Sequence, residues 1–159
     1  MKKTKEKSAG LIMWDIENDT PKILLCHMGG PFFKKKTRSW SIPKGKIEEN
    51  ETIFDAAKRE FIEETGIKPI PPFDYIGNVR YPNGKEVFAY AFKSKFIGKI
   101  KSNHFVMEWP PKSGKIMSFP ENDYGKMITL DEAKDLMIYS QIDFIDMMEN
   151  YFKTKNLLI

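Results

Sequence analysis

The sequence predicts an α/β fold, a mixed central sheet with helices on both faces, built as one domain over residues 8–159. Three observations predict it. Two strand-like apolar runs open the chain, SAGLIMWDI at residues 8–16 and KILLCHM at residues 22–28. A capped, acidic, amphipathic segment follows at residues 52–66, and a strand hairpin with two further helical periodicities completes the order. Strands on both sides of a helix in the chain need a sheet that the helices cover.

Composition sets the bounds. A chain of 159 residues with 41% hydrophobic and 30% charged residues is an ordinary globular domain, long enough to bury a core. The net charge of +4 favours anionic partners, but much of the excess is local, in Lys2, Lys3, Lys5 and Lys7 of a basic tail at residues 1–7 and in Lys34, Lys35 and Lys36 of one loop. The single cysteine, Cys26, excludes an intramolecular disulfide and reads as a small core residue. No apolar run is long enough to span a bilayer, and the lysine-rich start lacks the apolar stretch of a leader, so a cytoplasmic location and no membrane partner are expected.

Each element has a local reason. Asn18, Asp19, Thr20 and Pro21 form the turn between the first two strands. The loop GGPFFKKKTR after Met28 combines two glycines, a proline and a basic cluster, Lys34 to Arg38, which reads either as a solvated loop or as a contact for polyphosphate or nucleic acid. His27 beside it has no second histidine or cysteine nearby and is read as structural. Trp40 to Gly45, WSIPKG, is a short strand leading into the acidic segment. Pro69, Pro71 and Pro72 break the chain beyond the helix, and residues 75–81 and 86–96 form a hairpin about Pro82-Asn83-Gly84. Residues 130–137 and 141–152 have helical periodicity, with Met137, Ile138, Phe144, Ile145, Met148 and Phe152 as core contacts.

The acidic helix carries the chemistry. Thr52 followed by Asp55 resembles a capping box, Ile53, Phe54, Ala56, Ala57 and Phe61 supply an apolar face, and Gly66 stands where a left-handed C-cap ends a helix. At about 100° per residue, Glu60, Glu63 and Glu64 fall within one third of the circumference. Like charges at that spacing repel, and acids near the C-terminal end oppose the helix dipole. Such a cluster is either a solvated acidic face or a site with a compensating cation, and oxygen-only donors select a hard ion, Mg²⁺ or Mn²⁺, over zinc. Arg59 and Glu51 are positioned to pair and fix the preceding loop against the helix. Lys44 offers an ammonium to phosphate oxygens, and Gly45 lets the backbone approach a ligand.

The stretch GKIEENETIFDAAKREFIEETGI, residues 45–67, fits G-x₅-E-x₇-R-E-U-x-E-E-x-G-U, with U a bulky aliphatic residue, and so resembles the Nudix hydrolases. The one departure is Phe61 at the first U position. The resemblance covers essentially the whole chain and implies the Nudix α/β/α sandwich. It also implies metal-dependent hydrolysis of a nucleoside diphosphate linked to another group, with Glu60, Glu63 and Glu64 as ligands to Mg²⁺. Glu63 and Glu121 are both candidates for the base; the family implies that this base is a box glutamate or a later acid. The lead-in WSIPKG is similar to Nudix enzymes acting on dinucleoside polyphosphates or inositol pyrophosphates. The segments HMGGPFF, SN-x-F-x-M-E-W-P-P-x-S-G and a later F-P-E resemble one bacterial group of predicted Nudix nucleoside-triphosphate pyrophosphohydrolases.

Tyr81 and Pro82 follow Ile67 at the distance where Nudix subfamilies place a substrate-marking residue, although Pro82 also simply opens a hairpin turn. Glu108 and Trp109 read either as an acid with a base-stacking ring or as an ordinary strand end. A dinucleoside polyphosphate or a nucleoside triphosphate is the expected substrate. ADP-ribose and capped RNA are alternatives, as is a non-catalytic nucleotide- or RNA-binding module. The expected assembly is a monomer or a homodimer.

Overall fold

A computed structural model describes residues 5–157. Strand β1 (Lys7–Glu17) turns through Asn18 and Asp19 into β2 (Thr20–Met28), and both turn residues have positive φ, 51° and 62°. That is the backbone a two-residue hairpin with Glu17 opposite Thr20 requires, and short polar Asn and Asp tolerate it. β1 and β2 then diverge. Trp14 to Glu17 pair with β2, whereas Ser8 to Gly10 use the same edge of β1 to pair with β4 (Lys44–Lys46). β3 (Trp40–Ser41) pairs with Cys26 and His27 of β2, so WSIPKG is wedged into the fork between the two long strands. A Cβ on Gly10 would stand 2.4 Å from the Pro43 carbonyl oxygen, which is why the wedge can close.

The other edge of β1 pairs in parallel with β6 (Glu86–Lys93), which forms the hairpin with β5 (Asp74–Arg80). β9 (Asn122–Thr129) runs antiparallel to the outer edge of β2 and completes a seven-stranded mixed sheet. Side chains alternate between its two faces. Leu11, Met13, Leu24 and Phe92 pack with Ala56, Ala57 and Phe61 of α1 (Ile53–Thr65). Ile12, Trp14, Ile23, Leu25 and Ala89 pack with Ala133 of α2 (Leu130–Leu136) and with Phe144, Ile145, Met148 and Phe152 of α3 (Asp143–Thr154). Helices therefore cover both faces. Among the described residues no helix is long and apolar enough to cross a membrane.

Three differences from the sequence reading have physical reasons. The expected tail ended at Lys7, but Lys7 opens β1 opposite Glu86, and the Glu6 carbonyl accepts from the Glu86 amide at 3.1 Å. Residues 1–4 lie outside the described residues. The last expected helix begins as a 3₁₀ turn, Tyr139–Gln141, ahead of α3. A two-stranded ribbon, β7 (His104–Glu108) with β8 (Ile116–Pro120), stands apart from the main sheet and was not anticipated.

Candidate active site

Helix α1 is capped as its sequence predicts. Thr52 Oγ1 accepts from the Asp55 amide at 3.0 Å, and Gly66 closes the helix at φ 73°. The reciprocal half of the box is replaced by a contact of Asp55 with Lys58 at 3.7 Å.

Arg59 is the hub of the acidic face. Its Nε and Nη2 donate to the two oxygens of Glu51 at 2.7 and 2.9 Å, and Nη1 donates to Glu60 at 2.8 Å and Glu63 at 3.1 Å. Nη2 also donates to the Lys46 carbonyl at 3.0 Å, and the Glu48 amide donates to Glu51 at 3.0 Å. The loop between β4 and α1 is thereby tied to the helix. These bonds, those from Arg59 first, hold the Glu51 carboxyl at about 2. Glu60 is buried, and burial pushes its carboxyl above the ordinary value against the pull of Arg59. Gly45 makes room for it: a Cβ there would lie 2.0 Å from Glu60 Oε2. The glycine read as admitting a ligand to the backbone thus admits a carboxylate.

Glu64, one turn further along, borders a cavity of about 150 Å³ whose wall includes Lys44, Glu121, Asn122, Ser41 and Phe105. Burial, followed by the charges of Glu121 and Glu60, pushes the Glu64 carboxyl up to about 8, while Lys44 draws it down. Burial lowers the Lys44 pKa, with Glu64 partly offsetting it. Asn122 Nδ2 donates to Glu64 Oε2. Backbone bonds fix the strand start that carries Asn122, from Gly29 to the Glu121 carbonyl at 2.9 Å and from Glu121 to the Asn103 carbonyl at 2.8 Å.

Of the expected site residues, Lys44, Glu64 and Glu121 line this cavity, and Arg59, Glu60 and Glu63 of the same helix form a bonded cluster with Glu51 of the loop before it. Tyr81 belongs to neither. Its ring packs into the core on the α3 side, and its hydroxyl accepts from Gln141 Nε2 at 2.9 Å. Glu108 lies at the far end of the ribbon and accepts from the Lys112 amide at 2.7 Å. His27 is buried, bonded to Asp123 at 2.8 Å and stacked on Tyr124. Arg38 leaves the basic cluster to donate to the carbonyls of Lys134 and Met137 at the end of α2, under the Tyr139 ring. Asn122 and Phe105 were missed, because an amide or a phenyl ring carries no charge pattern to reveal it.

The donors fit a hard divalent cation in kind: three carboxylates on one helix face, with the space left by Gly45 filled by one of them. Among the described residues no three His, Cys, Asp or Glu side chains stand together as a ready cage. Arg59 holds Glu60 and Glu63, and Asn122 holds Glu64.

The NUDIX domain family model matches residues 4–140. The chain belongs to the NUDIX family. Among curated relatives of this NUDIX chain, an RNA pyrophosphohydrolase of Bartonella henselae is 34% identical over 117 residues, 62% of this chain and 61% of the relative. The match thus spans about three fifths of that protein's length. An uncharacterized 17.7 kDa protein of Enterobacteria phage T4 is 33% identical over 150 residues, 90% of this chain and 89% of the relative. A C. elegans Ap4A hydrolase in a binary complex superposes with a TM-score of 0.67 at 16% identity, covering 94% of this chain and 98% of that one, a likeness of fold.

Proposed function

We propose that this NUDIX protein is a Mg²⁺-dependent hydrolase of a phosphoanhydride bond in a nucleoside diphosphate linked to a second group. The observation that carries the reading is the convergence of Lys44, Glu64 and Glu121 on one cavity beside the Arg59-bonded glutamates. A phosphoanhydride resists hydrolysis because its anionic oxygens repel a nucleophile. The ion that Glu60, Glu63 and Glu64 would hold supplies neutralisation of that charge and a lower pKa for the attacking water.

The chain's own residues do the rest. Lys44 binds phosphate oxygens. Asn122 orients Glu64, and Arg59 with Glu51 positions the helix face against the β4–α1 loop. Water forms a new P–O bond as the bridging P–O bond breaks, the leaving phosphate keeps the bridging electron pair, and a carboxylate takes the proton. Glu121 is the proposed acceptor, because it borders the cavity whereas Glu63 is bonded to Arg59.

The linked group is a second nucleoside through the polyphosphate, or the 5′ end of RNA. The first follows the WSIPKG lead-in, and the second is favoured by the activity named for the Bartonella relative. The test is phosphate-product analysis with Mg²⁺ on diadenosine tetraphosphate, nucleoside triphosphates, ADP-ribose, capped RNA and 5′-triphosphorylated RNA. Turnover of one class that disappears in Glu64→Gln, with the fold retained, supports the reading. Metal-independent binding without turnover of any of them would replace it with a binding module.

A further inference from the structure

The ribbon has two unlike faces. Phe105 lies opposite Phe119 and Met107 opposite Met117, so these four side chains share one face, while Val106 and Ile116 belong to the other and are each 68% exposed. The aromatic face is turned toward the loop after β2. Phe32 meets Trp109 edge to face at 5.9 Å between centroids. A Cβ on Gly30 would lie 2.8 Å from the Phe105 ring, and one on Gly29 only 1.9 Å from the Pro120 carbonyl oxygen. The glycine pair is what lets the ribbon close onto the loop.

Between them lies a cleft of about 540 Å³, walled by Trp109, Met117 and Phe119 on one side and by Lys34 and Lys35 on the other. The one carboxylate on its wall, Asp123, is already bonded to His27 at 2.8 Å. Lys36 is drawn aside over the Phe33 ring, and Arg38 caps α2, so Lys34 and Lys35 are the cations the loop presents here. The cleft adjoins the catalytic cavity: Gly29 and Glu121 line the cavity, and their chain neighbours Gly30 and Pro120 line the cleft. Size also decides. At about 150 Å³ the cavity is below the ~300–1,000 Å³ of sites that enclose a whole small ligand, so a nucleotide substrate must extend beyond it.

We propose that this cleft is the subsite for a nucleotide on the far side of the cleaved diphosphate, its base against Trp109, Met117 and Phe119 and its phosphate on Lys34 and Lys35. An aromatic platform flanked by cations is the arrangement that holds a base and its phosphate without reading sequence. The proposal rests on the hydrolase reading above. A dinucleoside polyphosphate and the 5′ end of an RNA both offer that chemistry, one with a single further nucleoside and the other with a continuing strand.

The experiment compares wild type, Trp109→Ala and the double variant Lys34→Glu/Lys35→Glu on a nucleoside triphosphate, diadenosine tetraphosphate and a 5′-triphosphorylated trinucleotide. Loss of one stacking ring is expected to lower kcat/KM for the substrates with a second nucleotide by about 5- to 150-fold relative to the triphosphate. Val106→Ser, on the opposite face, is the control and keeps the wild-type ratio. For the trinucleotide, removing the two lysines lowers the slope of log(kcat/KM) against log salt by about 1.4. Whichever of the two extended substrates shows the selective loss identifies the source of the nucleotide. Equal losses on all three substrates, or no loss on any, would overturn the subsite.

A direct measurement separates this outcome from failure of the hydrolase reading. Anisotropy of a labelled 5′-phosphorylated trinucleotide, in EDTA, needs no turnover. Weakening of at least about 5-fold in Trp109→Ala and in the lysine variant supports the cleft even if no substrate is hydrolysed. Unchanged affinity in the lysine variant, whose exposed loop positions tolerate substitution, overturns it even if hydrolysis is robust.

Discussion

Gly45→Ala separates function from stability at a single atom. The added Cβ would lie 2.0 Å from Glu60 Oε2, 2.1 Å from Cδ and 2.5 Å from Oε1, so the whole carboxylate must move. Reaching an ordinary contact of 3.4 Å from 2.0 Å takes a shift of about 1.4 Å at the nearest oxygen. What must move is the far end of a flexible side chain, so the backbone stays. The bond from Arg59 Nη1 at 2.8 Å is lost, while Arg59 retains Glu51 and Glu63. A charge-assisted bond is worth ~1.5–3 kcal/mol, and the lower unfolded-state entropy of alanine returns ~0.4–1 kcal/mol, leaving a cost of about 1.5 kcal/mol. For a chain of this size that is a fall in Tm of ~3–6 °C. Activity should suffer far more, because misplacing a site group by ~1 Å costs ~100-fold. Gly10→Ala is the converse. There the new Cβ meets the Pro43 carbonyl oxygen at 2.4 Å and Lys44 Cβ at 2.7 Å, and relief requires the backbone wedge between β1 and β2 to shift. Thermal melts and Mg²⁺ titrations of the hydrolysis rate check both. Gly45→Ala retaining activity within ~3-fold, or melting below Gly10→Ala, would refute the argument.

Other perturbations follow from single contacts. Tyr81→Phe removes only the hydroxyl that accepts from Gln141, so it should cost ~1 kcal/mol in a denaturant melt and leave kcat/KM as in wild type; a selective rise in KM would return Tyr81 to the substrate site. Glu51 is held at about 2 in the fold by Arg59, below an ordinary 4.5, so its contribution to stability is complete above 4.5 and is lost as pH falls from there toward 2. Glu51→Gln should therefore lower the Tm at neutral pH and flatten its dependence in that acid window, and parallel acid curves for the two proteins would contradict the pairing. Cys26 is fully buried, and burial raises its thiol pKa, so a disulfide exchange reagent should titrate it only as fast as the protein unfolds. Rapid stoichiometric labelling in native buffer would count against the buried placement.

What the sequence discloses and what it hides divide along chain separation. The α1 helix, its Thr52 and Gly66 caps and the Glu51–Arg59 pair lie within fifteen or so residues of one another, and each obeys a local rule that the structure repeats. Tyr81 marks where local reasoning stops: counting from the acidic segment sets its distance along the chain but not its face. Its ring packs against the core cluster that includes the α3 residues, and its hydroxyl accepts from Gln141 in the turn ahead of α3. The β7–β8 ribbon was illegible for another reason. Its strands gain their order by closing onto Gly29 and Gly30, more than seventy residues earlier, and nothing in HFVME alone names that partner.

The acidic face breaks a local rule, and the structure supplies only part of the compensation. Arg59 satisfies Glu51 fully but divides one nitrogen between Glu60 and Glu63, and at Glu64, which is bonded to a neutral amide, burial and the charges of Glu121 and Glu60 outweigh the pull of Lys44. Replacing such a glutamate by glutamine would relieve the repulsion, so a chain selected for stability alone has no reason to keep three of them. A cation would relieve the crowding of these acids and favour the ionised form of Glu64, and that is the physical argument for proposing one. Asn122, a residue without charge, fits the same proposal: its amide orients the Glu64 carboxyl without neutralising it, which would leave that role to the proposed cation.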